Sequence, residues 1–466
     1  MATITFLGAA QQVTGSCYLI HHGGRYLLLE CGLRQGEDRL PDEHERPFTF
    51  DPTTIDAVII SHTHLDHSGL VPLLVKRGYK GTIYTTRATQ DLLPIMYRDS
   101  ASLLRSDYER KNRRLIRSGK KPLKPPYTTE DVDELLGQIE GIDYEAKNEL
   151  LPGIEVRFRD AGHVLGSAIV EIWLHEDNST SKIVFSGDLG NSCAPLMNDP
   201  KLIDEADVLL LESTYGDRNH RPLDETLEEF EAVIQAASQS GGNILIPAFA
   251  VGRTQDLIYW LGQQHREGKL KNRYVFIDSP MAIKVSDVYE HHNHLFNNDD
   301  PNFRQFIKEG WDEWLPGLTY TPSPEESMAL NRIKGGAIII AGSGMCTGGR
   351  ILHHFKHNLW NIKTEVIISG YQAAGTLGRA LVDGADMVRI FGDDIAVRAR
   401  IHTLGGFSAH AGQDQLLDWA MNFKPPRPRL LLVHGEPEAM KALQQRFVIE
   451  HCWNAYIPNL GEVINI

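Results

Sequence analysis

Seven side chains in this sequence have the type and spacing to share metal ions. The densest group is Ser61-His62-Thr63-His64-Leu65-Asp66-His67-Ser68, between the apolar run Ala57-Val58-Ile59-Ile60 and a helix-like segment, Gly69–Lys76. In an extended chain, residues two apart project to the same side, so His62 and His64 face one way. Asp66 and His67 follow where the chain turns. One pair can hold one cation and the next pair a second. Three later segments offer partners. His163 stands in Asp160-Ala161-Gly162-His163-Val164, a glycine-flanked turn. Asp188 stands in Ser186-Gly187-Asp188-Leu189-Gly190, past a strand end, where a carboxylate can bridge two ions. His434 sits at the tip of the apolar strand Leu431-Leu432-Val433. Imidazole and carboxylate ligands suit zinc, and a pair of such ions activates water for hydrolysis. One histidine at a strand end is ordinary; four ligand-bearing segments of this kind in one chain are not.

The elements that must carry these residues follow from local patterning. Short β-branched runs fill the first ~210 residues: Ala2–Phe6, Cys17–Ile20, Tyr26–Leu29, Ala57–Ile60, Thr82–Tyr84, Ile154–Phe158, Ala168–Leu174 and Lys182–Phe185. Asp177-Asn178-Ser179-Thr180 between the last two predicts a hairpin turn. Helices are expected over Leu70–Lys76, Ala88–Tyr97 and a longer excursion from about Ala101 to Gly141. From about residue 213 the rhythm changes. The strands Asn243–Ile246, Tyr274–Ile277, Ala337–Ala341, Glu365–Ser369 and Met387–Ile390 alternate with helices such as Leu223–Ala237 and Thr254–Glu267, which implies parallel βαβ units. After about residue 391 the earlier style returns with Ala396–Thr403, Leu430–Val433 and Val463–Ile466. The expected organisation is a β-rich domain in two parts, residues 1–212 and 391–466, with an α/β domain, residues 213–390, inserted between them.

Bulk composition narrows the class. The chain has 466 residues, 42% hydrophobic and 23% charged, which fits a globular protein of more than one domain. No run approaches the ~18 apolar residues of a membrane span, and the N-terminus reads as a strand and not as a signal peptide, so a cytoplasmic protein is expected. The cysteines (Cys17, Cys31, Cys193, Cys346, Cys452) are scattered without a CxxC pair, which excludes a disulfide framework and a cysteine zinc site. A net charge of −14 counts against a broad basic surface that collects nucleic-acid phosphates.

These motifs resemble those of the metallo-β-lactamase superfamily. The His62-x-His64-x-Asp66-His67 block is similar to its second motif, His163 to its third and Asp188 to its fourth. The insert narrows the resemblance to the β-CASP branch, whose members process nucleic acids. Glu212 in Leu211-Glu212-Ser213-Thr214-Tyr215-Gly216 matches the acidic residue of that branch, and His410 in Gly406-Phe407-Ser408-Ala409-His410 and His434 match its two histidines. The resemblance covers nearly the whole chain. It implies an α/β fold, an αββα sandwich with an inserted α/β β-CASP domain, and a zinc-dependent ribonuclease acting on single-stranded RNA. It implies one zinc on His62, His64 and His163, another on Asp66, His67 and His434, and Asp188 between them. His410 is then the candidate general acid and Glu212 its orienting partner. One position departs from the pattern: the usual aspartate of the first motif is Glu30, a residue expected to orient the ligands from behind. The resemblance leaves a homodimer open.

Other segments could contact phosphate. Ser343-Gly344-Met345-Cys346-Thr347-Gly348-Gly349-Arg350 follows an apolar strand, and such turns expose backbone N–H groups, although tight packing asks for the same glycines. Arg253, before the helical run from Thr254, and Ser408, beside His410, are similar candidates. Between Arg105 and Lys124, nine Lys and Arg stand against Asp107 and Glu109, a local balance of +7. Such a run is either a solvated helix face or a guide that steers RNA. Two other readings share parts of the pattern. Small-molecule metallohydrolases carry the His62–His67 block but need no insert, and a nuclease acting on DNA would differ mainly in 2′-OH contacts.

Overall fold

The computed structural model describes residues 2–34, 47–176, 179–192, 194–270, 273–297 and 301–466. The chain divides into two compact units. The first comprises Met1–Gly190, Asp199–Asn219 and His410–Ile466; the second comprises Asn191–Asn198 and His220–Ala409.

The first unit is a sandwich of two seven-stranded sheets. One sheet runs, edge to edge, Val463–Asn465, Thr3–Gly8, Cys17–His22, Arg25–Leu29, Ala57–Ile59, Thr82–Thr86 and Ile139–Ile142. The other runs Ala455–Tyr456, Arg429–Leu432, Val208–Leu211, Ser179–Phe185, Ala168–Glu176, Ile154–Asp160 and Lys147–Leu151. Strands Thr3–Gly8 and Cys17–His22 alternate buried and half-buried residues, as antiparallel strands with one face on the core do. Ala57–Ile59 and Val208–Leu211 are buried at every residue because both faces are covered. Phe6, Tyr18, Leu27 and Leu29 of the first sheet meet Phe158, Val170, Phe185 and Leu210 of the second in one core. The helices Val71–Lys76, Arg87–Arg117 and Thr129–Leu135 cover the first sheet's outer face, and Gln413–Ala420 and Pro437–His451 cover that of the second. The layers are therefore α, β, β, α.

The second unit holds a six-stranded sheet in the order Leu318–Tyr320, Tyr274–Ile277, Ala337–Ala341, Ile244–Pro247, Glu365–Ile368 and Arg400–Thr403, parallel throughout. Alternation of strands and helices in the sequence had this consequence in view.

Several expectations need correction. Met387–Ile390 is not part of the parallel sheet; it forms an antiparallel hairpin with Asp393–Ala396. The expected strand Ala396–Thr403 is split, and Arg400–Thr403 pairs with Glu365–Ile368, so the insert's sheet runs past residue 390. The helix expected at Ala88–Tyr97 and the first part of the excursion beyond Ala101 are one 31-residue helix, Arg87–Arg117, which absorbs Pro94; the rest of the excursion is a short helix, Thr129–Leu135, and the start of the strand Ile139–Ile142. Of the expected turn, Asp177 and Asn178 lie outside the described residues, while Ser179 and Thr180 already belong to the strand Ser179–Phe185, which pairs antiparallel with Ala168–Glu176. Cys193 lies outside them too, and Cys17, Cys31, Cys346 and Cys452 are free thiols. No helix among the described residues is long and apolar enough to cross a membrane.

Candidate metal centre

Strand polarity assembles the site. Ser179–Phe185, Val208–Leu211 and Arg429–Leu432 are parallel neighbours, so their C-terminal ends lie side by side. Asp188, Glu212 and His434 follow those three ends, and their ligand atoms fall within 4.8 Å of one another. Ala57–Ile59 of the opposite sheet delivers His62 and His64 to the same edge of the sandwich. The turn carrying His163 packs on the turn carrying Asp188 at a point where only glycine fits: a Cβ on Gly190 would lie 2.0 Å from the Gly162 carbonyl oxygen. Gly187, at φ 56°, makes the reversal that turns Asp188 inward. The chain returning from the second unit pairs with this loop, Gly190 bridging to His410 and Ala411 N–H donating to the Leu189 carbonyl at 2.8 Å.

Two groups of donor atoms result: His62, His64, His163 and Asp188 in one, Asp66, His67 and His434 in the other. Within the first, His62 Nε2 lies 3.1 Å from His64 Nδ1, and His163 Nε2 lies 3.3 Å from the same atom. Asp188 Oδ2 is 3.5 Å from His62 Nε2 and 3.7 Å from His163 Nε2. In the second group His67 Nε2 lies 3.1 Å from His434 Nε2, which is 3.7 Å from Asp66 Oδ2. Bonds of about 2.0–2.1 Å from zinc to nitrogen in a tetrahedron separate neighbouring ligand atoms by about 3.3 Å. The donor set therefore has both the chemistry and the spacing for zinc. Asp188 Oδ1 is buried without a hydrogen bond, 3.3 Å from His67 Nε2, and so is free to bind a cation on that side.

Three of the five rings are held from the far side. His67 Nδ1 donates to Glu30 Oε2 at 2.6 Å, His62 Nδ1 contacts Ser61 Oγ at 3.0 Å, and His434 Nδ1 contacts Thr214 Oγ1 at 3.1 Å. Ser61 N–H donates to Glu30 Oε1 at 2.6 Å. Glu30 is fully buried and adopts φ 65°, a left-handed backbone that costs an ordinary residue on the order of 1–2 kcal/mol. The extra methylene relative to aspartate has not removed the carboxylate from the ligand it orients. Replacing Glu30 with glutamine is expected to weaken zinc affinity about 10–100-fold, because glutamine has one acceptor oxygen where Glu30 uses two, for Ser61 N–H and His67 Nδ1, and removes the charge behind His67. A chelator-competition titration measures this, and unchanged affinity would show that His67 is set by something else.

Electrostatics divide the histidines: burial lowers His62 and His64, while at His67 burial is outweighed by Asp188, Glu30 and Asp66, which raise it well above the usual histidine range. Burial holds His62 well below the usual histidine range, so it is neutral, the form that binds metal. Burial alone would raise the Asp188 carboxyl, but the imidazoles of His67, His434 and His62 hold it well below the carboxylate range. Burial raises Glu30, opposed by its bond to His67.

Glu212 and His410 stand beside the two groups. Glu212 Oε1 accepts Leu189 N–H at 2.6 Å, tying down the Asp188 loop, and its carboxylate lies 3.5 Å from His410 Nδ1. His410 Nδ1 is 3.9 Å from Asp188 Oδ2. Burial would lower His410, yet Glu212, then Asp188 and Asp66, raise it above the usual histidine range.

Ser61 and Thr214 did not stand out in the sequence, although each lies within a quoted motif. Their role depends on which way a ring nitrogen points, which spacing does not reveal. The phosphate-contact candidates lie in the second unit, outside this cluster. Arg350 there is committed elsewhere, donating to Asp278 Oδ1 at 2.7 Å and to the carbonyls of Thr321 and Pro322 at 2.6 and 2.9 Å. Arg253 is buried and pairs with Asp256 at 3.0 Å, a carboxyl that burial pushes up to about 6. Ser343 Oγ accepts Thr347 N–H and Gly348 N–H at 3.0 and 3.2 Å, so these loop amides are partly satisfied internally. Gly344 packs on the Phe249 ring, where a Cβ would lie 2.6 Å from ring carbon, and Gly349 adopts φ 74°. For these two glycines, packing and backbone conformation account for the residue. Ser408 is buried, with its carbonyl accepting from Asn191 Nδ2 at 3.1 Å.

An αββα sandwich presenting two such donor groups at one edge defines a metal-dependent hydrolase. Family comparisons agree in detail. Residues 11–237 match the metallo-beta-lactamase superfamily, 254–381 the Beta-Casp domain, and 394–458 the Zn-dependent metallo-hydrolase RNA specificity domain. The chain belongs to the β-CASP branch of the metallo-β-lactamase family. It is 40% identical over 438 residues to a protein named ribonuclease TTHA0252 of Thermus thermophilus, covering 94% of each chain. It is 31% identical to an RNase J-like protein of Methanocaldococcus jannaschii, covering 94% of this chain and 93% of that one. It is 29% identical to the transcription termination factor FttA of Methanosarcina mazei, covering 94% of this chain and 67% of the relative. A crystal structure of an Enterococcus faecalis protein of unknown function shares the fold across 100% of both chains, with a TM-score of 0.55 at 13% identity.

Proposed function

We propose that this chain is a ribonuclease that hydrolyses phosphodiester bonds of single-stranded RNA with two zinc ions, in the cytoplasm. One observation carries the reading: the region matching an RNA specificity domain, residues 394–458, contains His410 and His434, and both side chains reach the metal-ligand cluster.

His62, His64 and His163 would hold one zinc, and Asp66, His67 and His434 the other, with Asp188 between them. Zinc in such a pair supplies hydroxide near neutral pH and neutralises charge on the phosphate oxygens. The protein's own groups do the rest. Glu30, Ser61 and Thr214 fix the rings. The Glu212 carboxylate keeps a proton on His410 Nδ1 and aims the ring. His410 then delivers its other ring proton, from Nε2, to the oxygen that leaves when the P–O bond breaks.

The test is cleavage of a 5′-labelled single-stranded RNA and its DNA twin by the purified chain, with bound metal quantified. RNA-selective cutting with about two zinc ions per chain is the expected result. A ladder of internal cuts marks an endonuclease, and mononucleotides from the 5′ end mark an exonuclease. Bound zinc with hydrolysis of small esters and no cut in either polymer would overturn the proposal in favour of a small-molecule hydrolase.

A further inference from the structure

The helix Arg87–Arg117 starts at the metal centre and ends away from any core. Thr86 Oγ1 and Thr89 Oγ1 both donate to the carbonyl of Gly166, at 2.6 and 2.9 Å, three residues past His163. Its buried residues stop at Ala101. Past that point the helix carries Arg105, Arg110, Lys111, Arg113, Arg114 and Arg117, all exposed. Two pairs are internal, Arg105 with Glu109 and Arg110 with Asp107. Lys111, Arg113, Arg114, Arg117, Lys120, Lys121 and Lys124 form no ion pair among the described residues, while the chain as a whole carries −14.

The strap after the helix is fixed in place. Asn112 Nδ2 donates to the Leu123 carbonyl and Asn112 Oδ1 accepts Leu123 N–H, both at 2.8 Å, and Lys120 N–H donates to the Leu115 carbonyl at 2.9 Å. This clamp folds three lysines back beside a row of arginines. It covers no core and works against like-charge repulsion, so its effect is to order positive charge. Asp107, paired with Arg110, lines a shallow cavity on that surface together with Arg110, Lys111, Arg114, Leu115 and Ser118.

We propose that this helix end and its strap, residues 105–124, form an exosite that binds the phosphate backbone of the RNA substrate beyond the metal centre. The proposal rests on the ribonuclease reading for the identity of its ligand. At about 1.5 Å per residue, Arg105 lies about 24 Å and Arg117 about 42 Å along the helix from Thr89. At about 3.4 Å per stacked nucleotide, a substrate needs roughly 7–12 nucleotides outside the site to engage it. The exosite therefore makes the chain favour long RNA over fragments, and it places the recognition charge where a −14 chain otherwise repels nucleic acid.

The experiment compares the wild-type holoenzyme with a variant carrying Arg113→Gln, Arg114→Gln, Lys120→Gln and Lys121→Gln. Binding of a phosphorothioate-linked single-stranded RNA and cleavage of the ordinary RNA are both measured, with strands of about 30 and about 5 nucleotides, over a salt series. Expected for the long strand are a dissociation constant raised about tenfold and a log–log salt slope shallower by up to about 3, from about 0.7 per neutralised charge. The short strand is bound and cut as before. Asn112→Ala, which keeps every charge and frees the strap, gives a smaller loss on the long strand alone. Unchanged affinity and slope, equal losses on both lengths, or a loss seen only with anionic lipid vesicles would each overturn the exosite. If the holoenzyme cuts neither strand while the long strand still shows the effect, the ribonuclease reading fails and the exosite stands. If both strands are cut and the four substitutions change nothing, the reverse holds.

Discussion

Asp188→Ala is expected to lower RNA cleavage at least about 10³-fold, about 4 kcal/mol of transition-state stabilisation, and to reduce bound zinc below two per chain. Among the described residues, Asp188 is the carboxylate that approaches both donor groups. Its Oδ2 lies 3.5 Å from His62 Nε2 and 3.7 Å from His163 Nε2, while its Oδ1 lies 3.3 Å from His67 Nε2 and 3.7 Å from His434 Nδ1. Without it, five imidazoles face one another across a buried space with Asp66 as the remaining carboxylate of the two groups. Two cations held there would repel each other with less negative charge between them. Asp188→Asn tests the same point more finely, since it keeps the size and one oxygen but removes the charge. Metal content measured by mass spectrometry, alongside cleavage of labelled RNA, separates the cases. Full zinc occupancy with lost activity would mean that Asp188 serves the reaction and not the binding of the pair. Full activity in Asp188→Ala would remove it from the site.

Much of this centre was legible in the sequence because period-two spacing and strand-end position are local properties. His62 and His64 project together whatever the rest of the chain does, and Asp188, Glu212 and His434 each end an apolar run. The structure adds that three of those runs are parallel neighbours, which turns separate strand ends into one edge. That adjacency joins residues more than 200 positions apart and leaves no trace in local patterning. The misread strand has a similar cause. Met387–Ile390 has the apolar character of a core strand, but its partner is the next strand in the chain, and an antiparallel hairpin needs no crossover helix. Arg350 and Arg253 sit in glycine-rich turns, and the structure adds an ion pair to each: Arg350 with Asp278, 72 positions away and invisible to local patterning, and Arg253 with Asp256, an i,i+3 pair. Glu30 shows the opposite case: the residue that departs from the family's aspartate makes a 2.6 Å bond to His67.

His410→Ala is expected to reduce kcat about 10²–10⁴-fold with zinc content unchanged, which separates proton delivery from metal binding. His410 belongs to neither donor group, and its ring sits 3.5 Å from Glu212 and 3.9 Å from Asp188. Burial favours the neutral ring, but Glu212, Asp188 and Asp66 outweigh it and raise the pKa. A general acid must be protonated, so activity should be present below that raised pKa and fall as pH rises through it. Cations in the adjacent groups pull the other way, which makes the Glu212 charge the main support for the proton. Glu212→Gln isolates that support. It retains Oε1 to accept Leu189 N–H, so the Asp188 loop stays tied, but it removes the charge beside His410 Nδ1. The alkaline limb of the kcat/KM profile should therefore move to lower pH in Glu212→Gln and disappear in His410→Ala, where the residual rate no longer depends on that proton. An alkaline limb identical to wild type in both variants would assign the proton to another group and leave His410 as a contact for the scissile phosphate.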